Sequence, residues 1–242
     1  VNKKDKKKFY EIATQYTKEL ADKCMKLDKK FIFPSSCSVY GYLKDKTANE
    51  KTEPKPLTYY SKNKIEIEKI LKKMSKKNKK FNPIILRIAT VFGFSPSMRF
   101  DLVINMFMGM VVTEKKIVLN SNGLAIRPFI EINDLCEIFY RLINFKNTKF
   151  EIFNAGNNYY NFSILEIAKK VCKLTGATIS LKKKDNQKLT HQDELIKNQK
   201  DKRSYRVNFN KIKKNLKLIF RNDLEKKIKK NLNIFTKKKL KK

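Results

Sequence analysis

Tyr60 and Lys64 stand four residues apart in Pro56-Leu57-Thr58-Tyr59-Tyr60-Ser61-Lys62-Asn63-Lys64. On a helix that spacing sets both side chains on one face, one turn from each other. The pair suits proton transfer, because a tyrosine with a pKa of about 10 is a poor base at neutral pH and a neighbouring ammonium favours its phenolate. Upstream, Ser35-Ser36-Cys37-Ser38-Val39-Tyr40-Gly41 follows a short apolar run, and a hydroxyl there, such as that of Ser36, can hydrogen-bond the same substrate oxygen. A third segment, Leu86-Arg87-Ile88-Ala89-Thr90-Val91-Phe92-Gly93, follows the next apolar run. Alone, a Tyr-x-x-x-Lys pair in a lysine-rich chain is satisfied by a core tyrosine beside a solvated lysine. Flanked by both strands, it becomes a strong signal.

The elements that must position these groups are legible in the apolar periodicity. Residues 9–27 place Ile12, Tyr16, Leu20 and Cys24 at helical spacing, which predicts an amphipathic helix. Residues 31–34 read as a buried strand ending in the small polar residues, 57–74 as a helix, and 82–88 (NPIILRI) as a second strand. Helices are expected at 100–112 and 134–143, with short strands at 116–119, 129–132 and 151–154. Ser163 with Glu166 forms a capping box for a helix over 163–175, and Gly176 stands just past its end. Residues 182–202 read as a polar surface loop, and 210–216 and 223–235 as closing helices. Strands alternating with helices imply an α/β protein whose mostly parallel sheet is covered on both faces.

Composition bounds the function. The 242 residues carry 57 Lys+Arg against 23 Asp+Glu, a net charge of +34, with 41% hydrophobic residues, enough for a folded core. No apolar run approaches the roughly 20 residues of a membrane span, and VNKKDKKKF lacks the apolar core of a signal peptide, so a soluble cytoplasmic protein is expected. Cys24, Cys37, Cys136 and Cys172 form no CxxC pair and His191 is the single histidine, which supports neither zinc nor a disulfide framework. The lysines are dispersed. With abundant Asn, Ile, Phe and Tyr, 6 Gly, 6 Pro and no Trp, the charge is read as the signature of an AT-rich coding sequence, and nucleic acid as a partner is the minor alternative.

Taken in order, the three segments resemble the extended short-chain dehydrogenase/reductase family, the NAD-dependent nucleotide-sugar epimerases and dehydratases. The resemblance runs from the first helix to about Leu218. It extends to GFSPSMRFDLVIN at 93–105, which looks like the family's entry into the substrate domain, and to GLAIRPFIEIND at 123–134, which matches G-x-x-x-R-P-F-I-x-x-x-D. EIFNAG at 151–156 is similar to a strand of the nucleotide-sugar domain, and DKRSYRVNFNKIKKNL at 201–216 to a C-terminal Asp-x-Arg-x-Tyr segment.

The resemblance implies roles. Tyr60 would be the general base and acid on a sugar hydroxyl, Lys64 would lower the tyrosine pKa and bind the nicotinamide ribose, and Ser36 would complete the triad. Arg127 would face the nucleotide diphosphate, where a guanidinium fork suits phosphate oxygens. Asn105 would be a second substrate contact and Arg203 a weaker one. Asp134 reads as a helix cap and His191 as a solvated side chain. Cys37 and Ser38 stand where the 4,6-dehydratase branch typically has an Asp-Glu pair, which points toward epimerase or oxidoreductase chemistry.

The implied fold is an incomplete doubly wound, Rossmann-like parallel sheet with a smaller C-terminal α/β substrate domain. Residues 1–93 would be the C-terminal part of the NAD-binding domain and 94–242 mainly the nucleotide-sugar domain, with 129–160 partly returning to the first sheet. The family's Gly-rich pyrophosphate turn is not in the sequence: no G-x-x-G-x-x-G occurs. The chain begins at what resembles the helix before the Ser36 strand, which reads as an N-terminal truncation and leaves the strand at 31–34 with an unpaired edge. Thr90 replaces an Asn of many members, and Ala13 lies near another such replacement. The expected activity is an NAD-dependent epimerisation or related oxidoreduction of a nucleotide sugar, NADP being left open, in a homodimer built on two long helices. The alternatives are an inactive remnant lacking the dinucleotide-binding half and a basic polyanion-binding protein.

Overall fold

The computed structural model describes residues 3–43, 46–146, 148–181 and 204–239. Helix α1 (Lys3–Lys26) leads into β1 (Ile32–Ser36), a short 3-10 turn (Cys37–Tyr40) and β2 (Thr47–Ala48). Helix α2 (Tyr59–Lys77) then crosses to β3 (Ile84–Ile88), which lies parallel to β1 with Ile32 opposite Ile84 and Ser36 opposite Ile88. On the other side of β3 runs β7 (Glu151–Ala155), also parallel, giving the order β1-β3-β7. Among the described residues β1 is therefore an edge strand.

Alternation along β3 explains why both faces must be covered. Ile84 and Leu86 point to one face, into a core with Phe153, with Leu135, Ile138 and Leu142 of α4 (Ile132–Asn144), and with Ile212 of α6 (Asn210–Asn215). Ile85 points to the other, with Phe33 of β1, Ala21 of α1, and Ile67 and Leu71 of α2. A period of two on a strand sheathed by helices has this outcome, and each fully buried Leu or Ile contributes about 1.5–3 kcal/mol.

A third apolar cluster, with Phe92, Phe107, Phe129, Tyr160, Ile167 and Ile228 among its members, organises the rest. It sits among α3 (Val103–Glu114), α5 (Ile164–Thr175), α7 (Leu224–Lys239) and a small mixed sheet. That sheet has the order β4 (Thr90–Phe92), β6 (Ile126–Glu131), β8 (Asn161–Ser163), its first pair parallel and its second antiparallel. Strands β5 (Lys116–Leu119) and β9 (Thr178–Leu181) pair in parallel, as do β2 and β10 (Arg206–Val207).

Helix α5 has the reciprocal Ser163–Glu166 capping box and the left-handed Gly176 that its sequence predicts. Helix α4 departs from its expected start: it begins at Ile132, and Glu131, not Asp134, is the cap, accepting from the Asn133 backbone N–H at 2.8 Å. Asp134 sits in the first turn and pairs with Lys227 of α7. The apolar residues read in the first helix also face an unexpected way. Ile12, Tyr16 and Leu20 are exposed together with Phe9, while Cys24, the fourth residue of the expected stripe, packs inward with Ala21 and Met25. The polar loop predicted at 182–202, His191 and Arg203 lie outside the described residues.

Candidate active site

The C-terminal end of β1 builds the first wall. Ser36 caps the 3-10 turn, its Oγ accepting from the Ser38 backbone N–H at 3.2 Å and from the Ser38 hydroxyl at 2.9 Å. Both acceptor positions are thus taken, which leaves the Ser36 proton to favour the phenolate of Tyr60. Gly41 closes the turn at φ +68°, and a Cβ there would lie 1.9 Å from the Lys55 carbonyl oxygen, so the position admits only glycine.

Helix α2 supplies the second wall. Thr58 and Ser61 form a capping box that starts the helix, placing Tyr60 in its first turn. Asn63 ties α2 to α1 by donating to the Tyr10 carbonyl at 3.1 Å and to Thr14 Oγ1 at 2.6 Å. One turn beyond Tyr60, Lys64 Nζ donates to the Pro34 carbonyl at 2.8 Å, 4.7 Å from the Phe33 ring centroid and 5.5 Å from that of Tyr60. The sequence-predicted Ser36, Tyr60 and Lys64 are therefore brought together where β1 meets α2.

Burial pushes the Tyr60 phenol above its ordinary value, and two groups pull it back, the Ser36 hydroxyl and the Arg99 guanidinium, while Tyr10 adds a smaller push upward. Burial likewise holds the Lys64 ammonium below its ordinary value, offset in part by Glu68. The expectation placed the cation for Tyr60 on Lys64. The groups that lower Tyr60 are instead Ser36 and Arg99, and sequence reasoning did not single out Arg99, although Arg-Phe-Asp inside GFSPSMRFDLVIN was available as a signal.

Arg99 is held by a local fork, Nε to Asp101 Oδ1 at 3.1 Å and Nη2 to Asp101 Oδ2 at 2.6 Å. Its loop is pinned from inside by Asn105, whose side chain is buried, accepts from the Gly93 N–H at 2.9 Å and donates to the Arg99 carbonyl at 3.0 Å. Asn231 of α7 adds an acceptor for the Phe94 N–H at 2.6 Å. Asn105, read as a substrate contact, thus has both ends of its amide on the backbone of the 93–99 loop. Arg127 lies on β6, its Nη1 donating to the Ile126 carbonyl at 3.0 Å and its guanidinium 5.4 Å from the Tyr205 ring centroid. No group of three or more metal-ligating side chains occurs among the described residues, and none of their helices is long and apolar enough to cross a membrane.

A parallel α/β sheet with Ser36 at the end of β1 and Tyr60 and Lys64 on the adjoining helix α2 is the setting in which the comparisons with known proteins fall. The chain belongs to the NAD dependent epimerase/dehydratase family, whose model matches residues 1–156. It is 29% identical over 158 residues to the dTDP-D-glucose 4,6-dehydratase of Bos taurus, covering 65% of this chain and 43% of that one. It is 30% identical over 152 residues to the GDP-6-deoxy-D-talose 4-dehydrogenase of Aggregatibacter actinomycetemcomitans, covering 62% and 49%. The chain thus spans under half the length of these curated relatives. Among solved structures, the dTDP-glucose 4,6-dehydratase of Bacillus anthracis in complex with NAD matches with a TM-score of 0.76 at 21% identity, covering 91% of this chain and 66% of that one. The UDP-glucuronic acid 4-epimerase of Bacillus cereus, in complex with UDP-glucuronic acid and NAD, gives 0.73 at 24%, covering 93% and 66%. At these identities the structural likeness establishes the fold.

Proposed function

We propose that this chain carries the acid–base groups and the nucleotide-sugar site of an NAD-dependent epimerase or related oxidoreductase. The observation that supports it most is the Lys64 ammonium 5.5 Å from the Tyr60 ring on one face of α2, with the Ser36 hydroxyl favouring the Tyr60 phenolate. Tyr60 takes the proton of a sugar hydroxyl at its own oxygen and later returns it. Ser36 donates to the same site and steadies the charge that develops there. Arg127 holds the diphosphate, while Asn105 fixes the loop that presents Arg99. Residues 1–93 serve as the cofactor side and 94–242 mainly as the sugar side, with 129–160 partly returning to the first sheet, as β7 does beside β3.

Branch chemistry follows from what lines the turn after β1. The Cys37 thiol is buried and donates to the Arg87 carbonyl at 3.1 Å, and the Ser38 hydroxyl donates to Ser36. Neither can supply the acid–base pair that elimination of water needs. Similarity to dehydratases therefore comes with epimerase or oxidoreductase chemistry at this site.

The residues present fit one end of the cofactor. Lys64 and Tyr60, on α2 beside β1, would hold the nicotinamide ribose of NAD, or of NADP. The Gly-rich turn that cradles a pyrophosphate is not among these 242 residues. When bound, the cofactor supplies the hydride acceptor.

A second reading is a nucleotide-sugar-binding protein without turnover. The two are separated by supplying NAD and a panel of UDP-, dTDP- and GDP-hexoses to the chain preceded by a Gly-rich strand–turn–helix, and following the sugar by proton NMR. Conversion of one sugar to its epimer or keto product is expected. Binding without conversion of any would support the second reading. A second copy of this chain is the partner that suits the exposed Phe9, Ile12, Tyr16 and Leu20 stripe on α1.

A further inference from the structure

Behind the site lies a polar network that its chemistry does not use. Arg87 on β3 and Glu68 on α2 are 3% and 5% exposed, in the midst of apolar side chains. Arg87 Nε meets Glu68 Oε1 at 3.1 Å and Oε2 at 3.2 Å, and its Nη2 meets Oε2 at 2.6 Å. Burial alone would lower the guanidinium, but Glu68 and the Tyr40 hydroxyl outweigh it and hold Arg87 above its ordinary value. The remaining bonds lead outward. Ser35 Oγ donates to Glu68 Oε1 at 2.5 Å, and Arg87 Nη1 donates to the Tyr40 hydroxyl at 3.1 Å, which donates on to Asn154 Oδ1 of β7 at 2.7 Å. No buried side-chain polar atom among the described residues lacks a partner.

The placement of these groups matters more than their number. Tyr60, Lys64 and Glu68 follow one another at four-residue steps on one face of α2. Ser35 immediately precedes Ser36 on β1, and Tyr40 ends the turn that Ser36 caps. The Glu68 carboxylate is thus the joint at which the helix carrying Tyr60, the strand carrying Ser36 and the neighbouring strand β3 converge. A buried ion pair is close to break-even for stability when compared with apolar residues of the same volume. It is directional, however, whereas the packing of Ile67 and Leu71 on the sheet tolerates sliding and rotation.

We propose that Glu68 and Arg87 are positioning residues of the site: with Ser35 as the link to β1, they set the register of α2 against the sheet and so hold the Tyr60 hydroxyl on Ser36. This rests on the reading of Ser36 and Tyr60 as the acid–base unit.

The test reads the Tyr60 ζ-carbon by NMR titration of the 242-residue chain, the resonance being assigned by its loss in Tyr60→Phe. Ser35→Ala removes the link and keeps the ion pair. About tenfold less phenolate at a fixed pH within the titration is expected, as for Ser36→Ala, since a hydrogen bond to a charged group is worth about that factor. Ser35→Thr keeps the hydroxyl and should restore the parent curve. Glu68→Leu/Arg87→Met removes the pair without changing net charge, and should give the same loss of phenolate at an unchanged unfolding midpoint. The other groups facing Tyr60, which are Arg99 from the loop after β4, Tyr10 from α1 and Lys64 from α2, are the same in every variant.

A Tyr60 curve unmoved by Ser35→Ala, while Ser36→Ala shifts it, overturns the positioning role and leaves the acid–base reading standing. A curve indifferent to Ser36→Ala as well overturns both. Should the double variant unfold, Ser35→Ala with its threonine rescue decides alone.

Discussion

Arg99, in the loop after β4, faces Tyr60 on α2 closely enough that each favours the other's charged form. The contact joins two regions that the sequence keeps apart, the acid–base helix and the segment leading into α3. Arg99→Met is expected to move the Tyr60 titration upward, with the difference from the parent shrinking as salt is added, because the guanidinium is largely exposed. A ζ-carbon titration at low and high ionic strength checks both parts. Identical curves for parent and variant would remove Arg99 from the site.

Asn105→Asp tests how that loop is held. The carboxylate still accepts from the Gly93 N–H but sets oxygen against the Arg99 carbonyl, so the buried bond is replaced by repulsion costing about 1–3 kcal/mol. Limited proteolysis should cut near Arg99 faster in the variant. Tyr60 should also lose its Arg99 dependence. Unchanged cleavage would mean that the loop is held by Asn231 and Asp101 without Asn105.

Gly41→Ala places a Cβ against the Lys55 carbonyl in a positive-φ turn. A cost of about 2–4 kcal/mol is expected from the clash and the backbone strain together. For a chain of this size that corresponds to a fall in Tm of about 4–16 °C, measurable by circular dichroism. A variant with the parent's Tm would show that the turn shifts freely.

Alkaline stability has a definite sign. Burial raises Tyr60, Tyr40 and Tyr160 above their ordinary values, Tyr160 further through Asp223. In the unfolded chain these phenols lose their protons near pH 10, while the fold retains them. The folded state then binds more protons, and stability present below about pH 10 is lost as pH rises through the higher folded values. Lys64 and Lys30, lowered by burial, work in the opposite direction over the window just below about 10.4, but two lysines face three tyrosines and the thiols of Cys37 and Cys172, which burial also raises. Urea unfolding at stepped pH should show the midpoint falling above about pH 10, less steeply in Tyr40→Phe. A rising midpoint would contradict this.

Much of the fold follows from periodicity alone. The α5 helix with its capping box, the strand over 116–119 and the α2 helix bearing Tyr60 and Lys64 lie where local pattern places them. Strands β2, β4, β8 and β10 are two or three residues long, too short for an alternation to register, and exist because partners distant in sequence meet them. Glu131 as the α4 cap was hidden by Asp134, a better cap by residue type. The Glu68–Arg87 pair was hidden for a different reason: in a chain so rich in lysine, a glutamate on a helix reads as solvated, and Arg87 is embedded in an apolar strand. The outward stripe of α1 shows the same limit, since spacing identifies an apolar face but not what covers it.

The measurement that bears most directly on the whole account is the turnover of Tyr60→Phe. It is made with the chain preceded by a Gly-rich strand–turn–helix and supplied with NAD and the nucleotide sugar it converts. Turnover should fall by about 10²–10⁴-fold, the usual contribution of a positioned acid–base group. The nucleotide-sugar Kd should stay within about twofold, because the ring and its place on α2 are kept. Near-parental turnover would contradict the assignment of proton transfer to Tyr60 and, with it, the site proposed at the end of β1.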